Sequence, residues 1–179
     1  MNQAVRQHRH SFTTITAPRY ILTKIQECAL VHLGLKDMFK LRDRMEGQLY
    51  YDRLKSDIWS EYAFEKTIGK SFDWEKRKNK GYKRKYYQFQ NKSIQLIHFN
   101  SEFPPRIISN TTDYIVFIYI KPESKLLLSG LASKSVIESY GKLKNGQLEF
   151  SSFDILEVFS NYEELIEKLT RHTTKAIKT

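Results

Sequence analysis

The sequence predicts an α+β fold in which a mixed central β-sheet is flanked by helices. Three observations favour this class. Apolar residues recur at helical spacing up to Gly69, the middle of the chain changes to short runs of β-branched and aromatic residues, and helical spacing returns after Ser160. The resulting order of helix, helix, several strands and helix is typical of a small mixed sheet with helices packed against it.

Two helices are predicted before residue 70. The first begins after Pro18 and ends at Gly34, a residue type that is common just beyond a helix. Its apolar face recurs at helical spacing and comprises Leu22, Ile25, Cys28, Ala29 and His32. After a charged segment over residues 36–57, Ser56 is predicted to cap a second helix that Gly69 stops.

The strands are predicted from residue type as much as from spacing. Residues 86–89 and 94–99 are typical of two strands that are joined by a short turn. Residues 114–120 are apolar at every position, so we expect a central strand that is covered on both faces. A turn then leads into the strand that contains residues 126–128, and Asn145-Gly146 predicts a hairpin.

A closing helix is predicted after residues 160–163, whose sequence Ser-Asn-Tyr-Glu is a capping box. Its apolar face comprises Tyr162, Leu165, Ile166 and Leu169. No linker rich in Pro, Gly or Ser divides the chain, so we expect a single domain over residues 17–172. Residues 1–16 are predicted to be a flexible basic tail, and residues 173–179 a frayed end.

Composition favours a protein that binds polyanions. The chain has 179 residues, with 30 Lys and Arg against 20 Asp and Glu, which gives a formal net charge of +10. A small domain this basic is most often a nucleic-acid-binding protein, and the sequence leaves DNA and RNA both open. Nucleic acid is therefore the partner that the composition predicts.

Cysteine usage and hydropathy exclude several other classes. A single cysteine rules out a disulfide framework and a cysteine-based zinc module. The apolar runs are too short to span a bilayer, so we expect no membrane insertion. The first residues lack the apolar segment of a secretory signal. We therefore expect the cytoplasm or another reducing compartment, and not secretion.

The most biased segment is WEKRKNKGYKRKYY at residues 74–87, which holds seven cations and one acid. The cations are Lys76, Arg77, Lys78, Lys80, Lys83, Arg84 and Lys85. Because partner acids are scarce around them in the sequence, we expect these side chains to face solvent and to bind phosphates. Trp74 and Tyr82 are interleaved with the cations and are predicted to stack on unpaired bases. The alternative is a solvated charged loop whose tyrosines pack inward.

Three segments follow one another in an order that a known family shares. They are DIWSEYAFEKTIG at residues 57–69, LIHFNS at residues 96–101, and DYIVFIYIKPESKLLLSGLASKSVI at residues 113–137. Together they resemble the PD-(D/E)XK nuclease superfamily, the fold of many restriction and phage-type endonucleases. The resemblance covers the chain from Ser56 to about Tyr140. It implies a restriction-endonuclease-like core around the central sheet.

The resemblance also implies where a catalytic site would lie. The superfamily holds Mg²⁺ with an Asp and a Glu, and a Lys lies two residues after the Glu on the same face of a strand. This chain has His98 and Asn100 at the corresponding pair, and the nearest acids are Glu61 on the helix and Asp73. These four residues are the candidates for a degenerate site. Mg²⁺ is the expected cofactor if the protein is catalytic, and the sequence indicates no other.

The sequence thus predicts a nucleic-acid-binding protein on a nuclease-like fold, with little or no catalysis. Two alternatives remain open. The first is an active metal-dependent endonuclease with a non-standard site. The second is a structural component of a nucleoprotein assembly, such as a ribosome or a virion, because high positive charge and abundant tyrosine suit that role too.

Overall fold

The computed structural model of this chain describes residues 12–36, 45–82, 86–100, 105–107, 112–121 and 125–175. Within them the helices are Arg19–His32 (α1), Met45–Thr67 (α2), Trp74–Lys78 (α3), Lys134–Tyr140 (α4) and Tyr162–Lys175 (α5). The strands are Thr13–Thr16 (β1), Tyr87–Phe89 (β2), Lys92–Phe99 (β3), Arg106–Ile107 (β4), Tyr114–Ile120 (β5), Lys125–Ser133 (β6), Lys142–Lys144 (β7) and Gln147–Glu149 (β8). The predicted α+β class, with a mixed sheet and several helices, is confirmed.

Five strands form the main sheet, in the order β1-β6-β5-β3-β2. Strands β3 and β5 are parallel, and the other neighbouring pairs are antiparallel. A smaller antiparallel sheet has the order β4-β8-β7. It contains the predicted hairpin, in which Asn145 and Gly146 both adopt positive φ angles of 50° and 72°. Such angles are those of the tight turn that an Asn-Gly pair favours.

Strand β5 lies in the middle of the main sheet and is covered on both faces, as its unbroken apolar sequence predicts. Val116 and Ile118 pack in a core that includes helices α1, α2 and α5. On the opposite face, Phe117 stacks on Phe150 with a ring-centroid distance of 4.8 Å and lies edge-on to Phe153. Phe150 and Phe153 follow β8, and Ile107 of β4 belongs to the same second core, so the small sheet and the residues after it help to cover the face that the long helices leave open.

The observed element bounds correct the predicted ones at three places. Helix α2 begins at Met45 and not at Ser56, which lies inside the helix and whose carbonyl accepts a hydrogen bond from Ser60 Oγ at 2.7 Å. Residues Thr13–Thr16, assigned to a flexible tail from the sequence, form an edge strand that pairs with β6. Helix α5 continues to Lys175, beyond the predicted end of the domain at residue 172.

Two predicted helix ends are confirmed, and one helix start is shifted. Gly34 and Gly69 follow α1 and α2 with φ angles of +71° and +68°, the left-handed region that favours glycine. The cap of α5 lies one residue later than predicted, because Asn161 Oδ1 accepts the Glu164 N–H at 2.9 Å. The Glu164 carboxylate in turn accepts the Ser160 N–H at 2.8 Å, which closes a reciprocal cap.

Candidate functional site

An acidic stripe runs along one face of α2. Asp57, Glu61 and Glu65 follow one another at four-residue spacing, which places them on the same side of a helix. Glu65 contacts Tyr87 of β2, beside the start of β3, whereas Asp57 contacts His98 near the end of β3. Helix α2 therefore runs antiparallel to β3, with its three acids directed along that strand.

Two of these acids hold a buried arginine. Arg77 of α3 donates from Nε to Glu61 Oε2 at 2.9 Å and from Nη2 to Glu65 Oε1 at 2.6 Å. Its Nη1 donates to the Asp73 carbonyl at 3.2 Å, and its guanidinium lies 4.1 Å from the centroid of the Phe72 ring. Arg77 is 4% exposed, and Glu61 and Glu65 are 1% and 3% exposed. The arrangement fastens α3 to α2 through a desolvated ion pair.

Two tyrosine hydroxyls complete this network. Tyr82 donates to Glu61 at 2.6 Å, and Tyr87 donates to Glu65 at 3.0 Å. Burial, followed by the charge of Glu61, raises the pKa of both tyrosines above the ordinary value, so the hydroxyls stay protonated as donors. Burial alone would lower the pKa of Arg77, but the charges that face it outweigh burial and raise the pKa.

The Arg77 network corrects one sequence inference. The cations of the basic segment were expected to face solvent for lack of partner acids, and for Arg77 this is wrong. Glu61 and Glu65 lie 16 and 12 residues earlier, on the preceding helix α2, which packs against α3. A guanidinium held in this way is turned away from any bound phosphate. Tyr82, predicted to stack on bases, is half-buried, and its hydroxyl donates to Glu61.

The remaining cations of the basic segment lie in different surroundings. Lys76 and Lys80 are exposed. Lys78 forms ion pairs with Glu75 at 3.0 Å and with Glu27 of α1 at 3.5 Å. Trp74 is half-buried against α1, and the Lys24 ammonium lies 5.6 Å from the centroid of its ring. Three further predicted contacts, Lys83, Arg84 and Lys85, lie outside the described residues.

The third acid of the stripe forms a separate pair. Asp57 Oδ1 lies 3.0 Å from His98 Nε2, and the two side chains are 22% and 23% exposed. His98 is one of the sequence candidates, whereas Asp57 was missed. The signal for Asp57 was its four-residue spacing from Glu61, which places it on the same helix face as a residue already singled out. The pair combines a carboxylate with an imidazole at a solvent-accessible position, a combination that can transfer protons.

The four candidate catalytic residues serve different roles in the structure. Glu61 is engaged by Arg77 and Tyr82, while Asp73 caps α3 by accepting the Lys76 N–H at 3.0 Å. His98 contacts Asp57, and Asn100 is exposed just beyond β3. Among the described residues, no three His, Cys, Asp or Glu side chains come together in a way that could hold a metal ion.

No family model, no curated protein and no solved structure matches this chain. Function is therefore argued from the residues themselves. No helix in the part of the chain that the structure describes is both long and apolar enough to cross a bilayer.

Proposed function

We propose that this protein binds nucleic acid through the surface around α3, on a scaffold of the restriction-endonuclease-like type, with little or no catalysis. The observation that carries the proposal is the gathering of exposed lysines around this short helix. Lys76 and Lys80 lie on or just after α3, and the contact between Lys24 and Trp74 adds a cation from α1. Two more exposed lysines, Lys66 and Lys70, flank the end of α2. Lysines that surround one surface suit a partner with repeated phosphates.

The scaffold part of the proposal rests on the order of elements. A long helix packs against a mixed sheet, and a central strand is followed by a turn, an antiparallel neighbour and a short helix. That is the order in which the three family-like segments occur in the sequence. Strands β3 and β5 are parallel, so the sheet is mixed, as the resemblance to the nuclease superfamily implies.

The expectation of little or no catalysis rests on the contacts that the candidate acids already make within the protein. Glu61 is 1% exposed and is bound by a guanidinium and a phenol, so coordinating a metal would require breaking a buried ion pair. Asp73 is committed to a helix cap. The residues that the family likeness assigns to metal binding thus have structural partners in this chain.

Salt dependence of binding tests the proposal. Fluorescence anisotropy with a labelled duplex of about 30 base pairs should give a log–log slope of affinity against salt of about −4 to −5, if five lysines each neutralise a phosphate at −0.9 per contact. The double variant Lys76→Ala/Lys80→Ala should flatten the slope by about 2 units. The matched control is Lys142→Ala/Lys144→Ala, which removes the same charge from exposed positions on β7 and should leave the slope within about half a unit. Equal slopes for both double variants would show that the α3 surface is not part of the nucleic-acid interface.

A second candidate function is an active endonuclease, and the Asp57–His98 pair is the observation that favours it. We expect no sustained cleavage of plasmid or single strands in the presence of Mg²⁺. Cleavage that persists on purification, is abolished by chelation and is lost in a Glu61→Gln variant of unchanged stability would establish a metal site of the family type. Cleavage that survives Glu61→Gln and chelation but is lost in His98→Gln would instead assign the chemistry to the imidazole.

A further inference from the structure

Three aromatic side chains, Tyr62, Phe72 and Trp74, form a continuous cluster beside α3, and the exposed Tyr20 lies on the neighbouring helix α1. We call Tyr20, Tyr62, Phe72 and Trp74 the aromatic face. The ring centroids of Tyr62 and Phe72 are 5.5 Å apart, those of Tyr62 and Trp74 are 5.8 Å apart, and those of Phe72 and Trp74 are 4.7 Å apart. Tyr20 lies one turn before Lys24 on the same face of α1, and the Lys24 ammonium contacts the Trp74 ring. Tyr20 is 63% exposed, and the other three are partly exposed.

Lysines lie over two rings of this face. Lys24 Nζ lies 5.6 Å from the Trp74 ring centroid, and Lys66 Nζ lies 6.0 Å from the Tyr62 ring centroid. Both lysines are exposed. The contacts are cation–π contacts at surface positions, where they are weak enough for the side chain to leave. A flat ligand can therefore stack on the aromatic ring while the lysine ammonium moves to a neighbouring anion.

We propose that the aromatic face binds unpaired bases of single-stranded nucleic acid, with Lys24 and Lys66 on the adjoining phosphates. The inference rests on the proposed function and narrows its substrate. A duplex conceals the faces of its bases in the stack, whereas a single strand offers both flat faces and phosphates at every nucleotide. An acidic protein surface would satisfy the lysines and leave the exposed rings without a matching partner.

The residues that build this face come from distant parts of the sequence. Tyr20 and Lys24 lie on α1, Tyr62 and Lys66 on α2, and Trp74 on α3. The contacts of α1 with α2 and with α3 bring the three helices together. The predicted role of Trp74 in stacking is retained here, although Tyr82 of the same segment is engaged with Glu61.

Tryptophan fluorescence gives a direct test, because the chain has two tryptophans, Trp59 and Trp74. Trp59 is buried, and a base stacked on Trp74 should quench that ring alone. We expect oligo(dT) to quench the wild type and the Trp59→Phe variant, and to leave the Trp74→Phe variant unchanged. If Trp59→Phe does not fold, the difference in quenching between wild type and Trp74→Phe measures the same quantity.

Affinity for oligo(dT) and for an equal-length duplex at one salt concentration provides the second readout. Tyr20→Ala should weaken oligo(dT) binding at least about fivefold, the lower end of the range for one stacked base, and should change duplex binding less than twofold. The matched control is Tyr140→Ala, which removes a tyrosine of similar exposure from α4 and should alter neither affinity.

The outcomes separate this inference from the proposed function. Tighter binding of oligo(dT) than of duplex, with quenching at Trp74, supports both. Equal binding of the two ligands without quenching at Trp74 overturns the single-strand inference and leaves nucleic-acid binding intact. Binding to neither ligand overturns both proposals.

Discussion

Helix α2 makes two acid–base contacts from one face, and they differ in their access to water. Glu61 and Glu65 enclose the Arg77 guanidinium where the three side chains are nearly inaccessible. Asp57, one turn earlier, meets His98 where each side chain keeps more than a fifth of its exposure. Arg77, Tyr82 and Tyr87 of β2 cover Glu61 and Glu65, and β2 pairs only with residues 92–94 at the start of β3. His98 lies beyond that pairing.

The comparison separates a buried network that stabilises the fold from a more accessible pair that can exchange protons. A buried guanidinium between two carboxylates has lost its hydration and depends on its partners, so the Arg77 network holds α3 and β2 against α2. An imidazole and a carboxylate at the surface keep water as an alternative partner, so their mutual contact contributes little to stability. The same spacing of acids on one helix therefore supports two different roles.

The largest expected effect is the loss of the buried cation. Arg77→Met keeps much of the side-chain volume but leaves Glu61 and Glu65 buried without a counter-charge, which should lower the free energy of unfolding by about 3–5 kcal/mol. Urea denaturation at neutral pH measures this change.

A neutral network and a neighbouring lysine serve as controls for that change. The triple variant Arg77→Met/Glu61→Gln/Glu65→Gln should recover most of the lost stability, since no unpaired charge remains buried. Lys76→Met, at the adjacent exposed position, should change the free energy of unfolding by less than about 0.5 kcal/mol. A cost for Arg77→Met that is no greater than for Lys76→Met would contradict the structural role of the network.

A smaller effect is expected at alkaline pH from Tyr87. Its pKa is raised in the folded protein, whereas in the unfolded chain it ionises near 10. The unfolded state then binds fewer protons than the folded state, so stability is retained below pH 10 and is lost as pH rises above it. Between about pH 8 and pH 11, the free energy of unfolding should fall by about 1 kcal/mol less in Tyr87→Phe than in the wild type.

Urea denaturation at the two pH values measures the alkaline effect. Tyr86→Phe is the matched control, because its tyrosine is the neighbouring residue and is 49% exposed. It should leave the alkaline loss as in the wild type. Identical losses in Tyr87→Phe and the wild type would show that the hydroxyl near Glu65 is not protected from ionisation.

Much of the fold could be predicted from local pattern. The uniform apolar composition of residues 114–120 predicted a central strand, and Asn145-Gly146 predicted a hairpin, because both signals lie within a few residues. The start of α2 was missed because its first turns carry many charges, so the apolar periodicity that marks a buried helix begins only later. Strand β1 was missed because it is only four residues long and has one apolar side chain, Ile15, among three threonines.

The site was harder to predict because its contacts join residues that are distant in sequence. The basic segment was correctly singled out as unusual, yet the sequence alone did not show that Arg77 turns inward while Lys76 turns outward. Two features of the sequence together indicate that Arg77 is buried. Arg77 lies three residues after Trp74 on α3, and two acids lie one turn apart on α2. Matching them requires the packing of α3 on α2, which no local pattern gives.

The smallest expected effect is at the partly exposed Asp57–His98 pair, and it tests the comparison most directly. Asp57→Asn and His98→Gln should each lower the free energy of unfolding by less than about 1 kcal/mol. Their coupling in a double-mutant cycle should also stay below about 1 kcal/mol, because each partner can exchange the other for water. Urea denaturation of the two single variants and the double variant gives all three values.

A coupling of about 3 kcal/mol or more would place the Asp57–His98 pair with the Arg77 network as a structural element. The two regions would then be one continuous brace along α2, and the imidazole would lose its standing as an accessible acid–base group. A coupling near zero, together with a large loss of stability in Arg77→Met, would show that the two contacts have different roles. The change from a structural contact to an accessible acid–base pair would then occur within the single turn of α2 that separates Asp57 from Glu61.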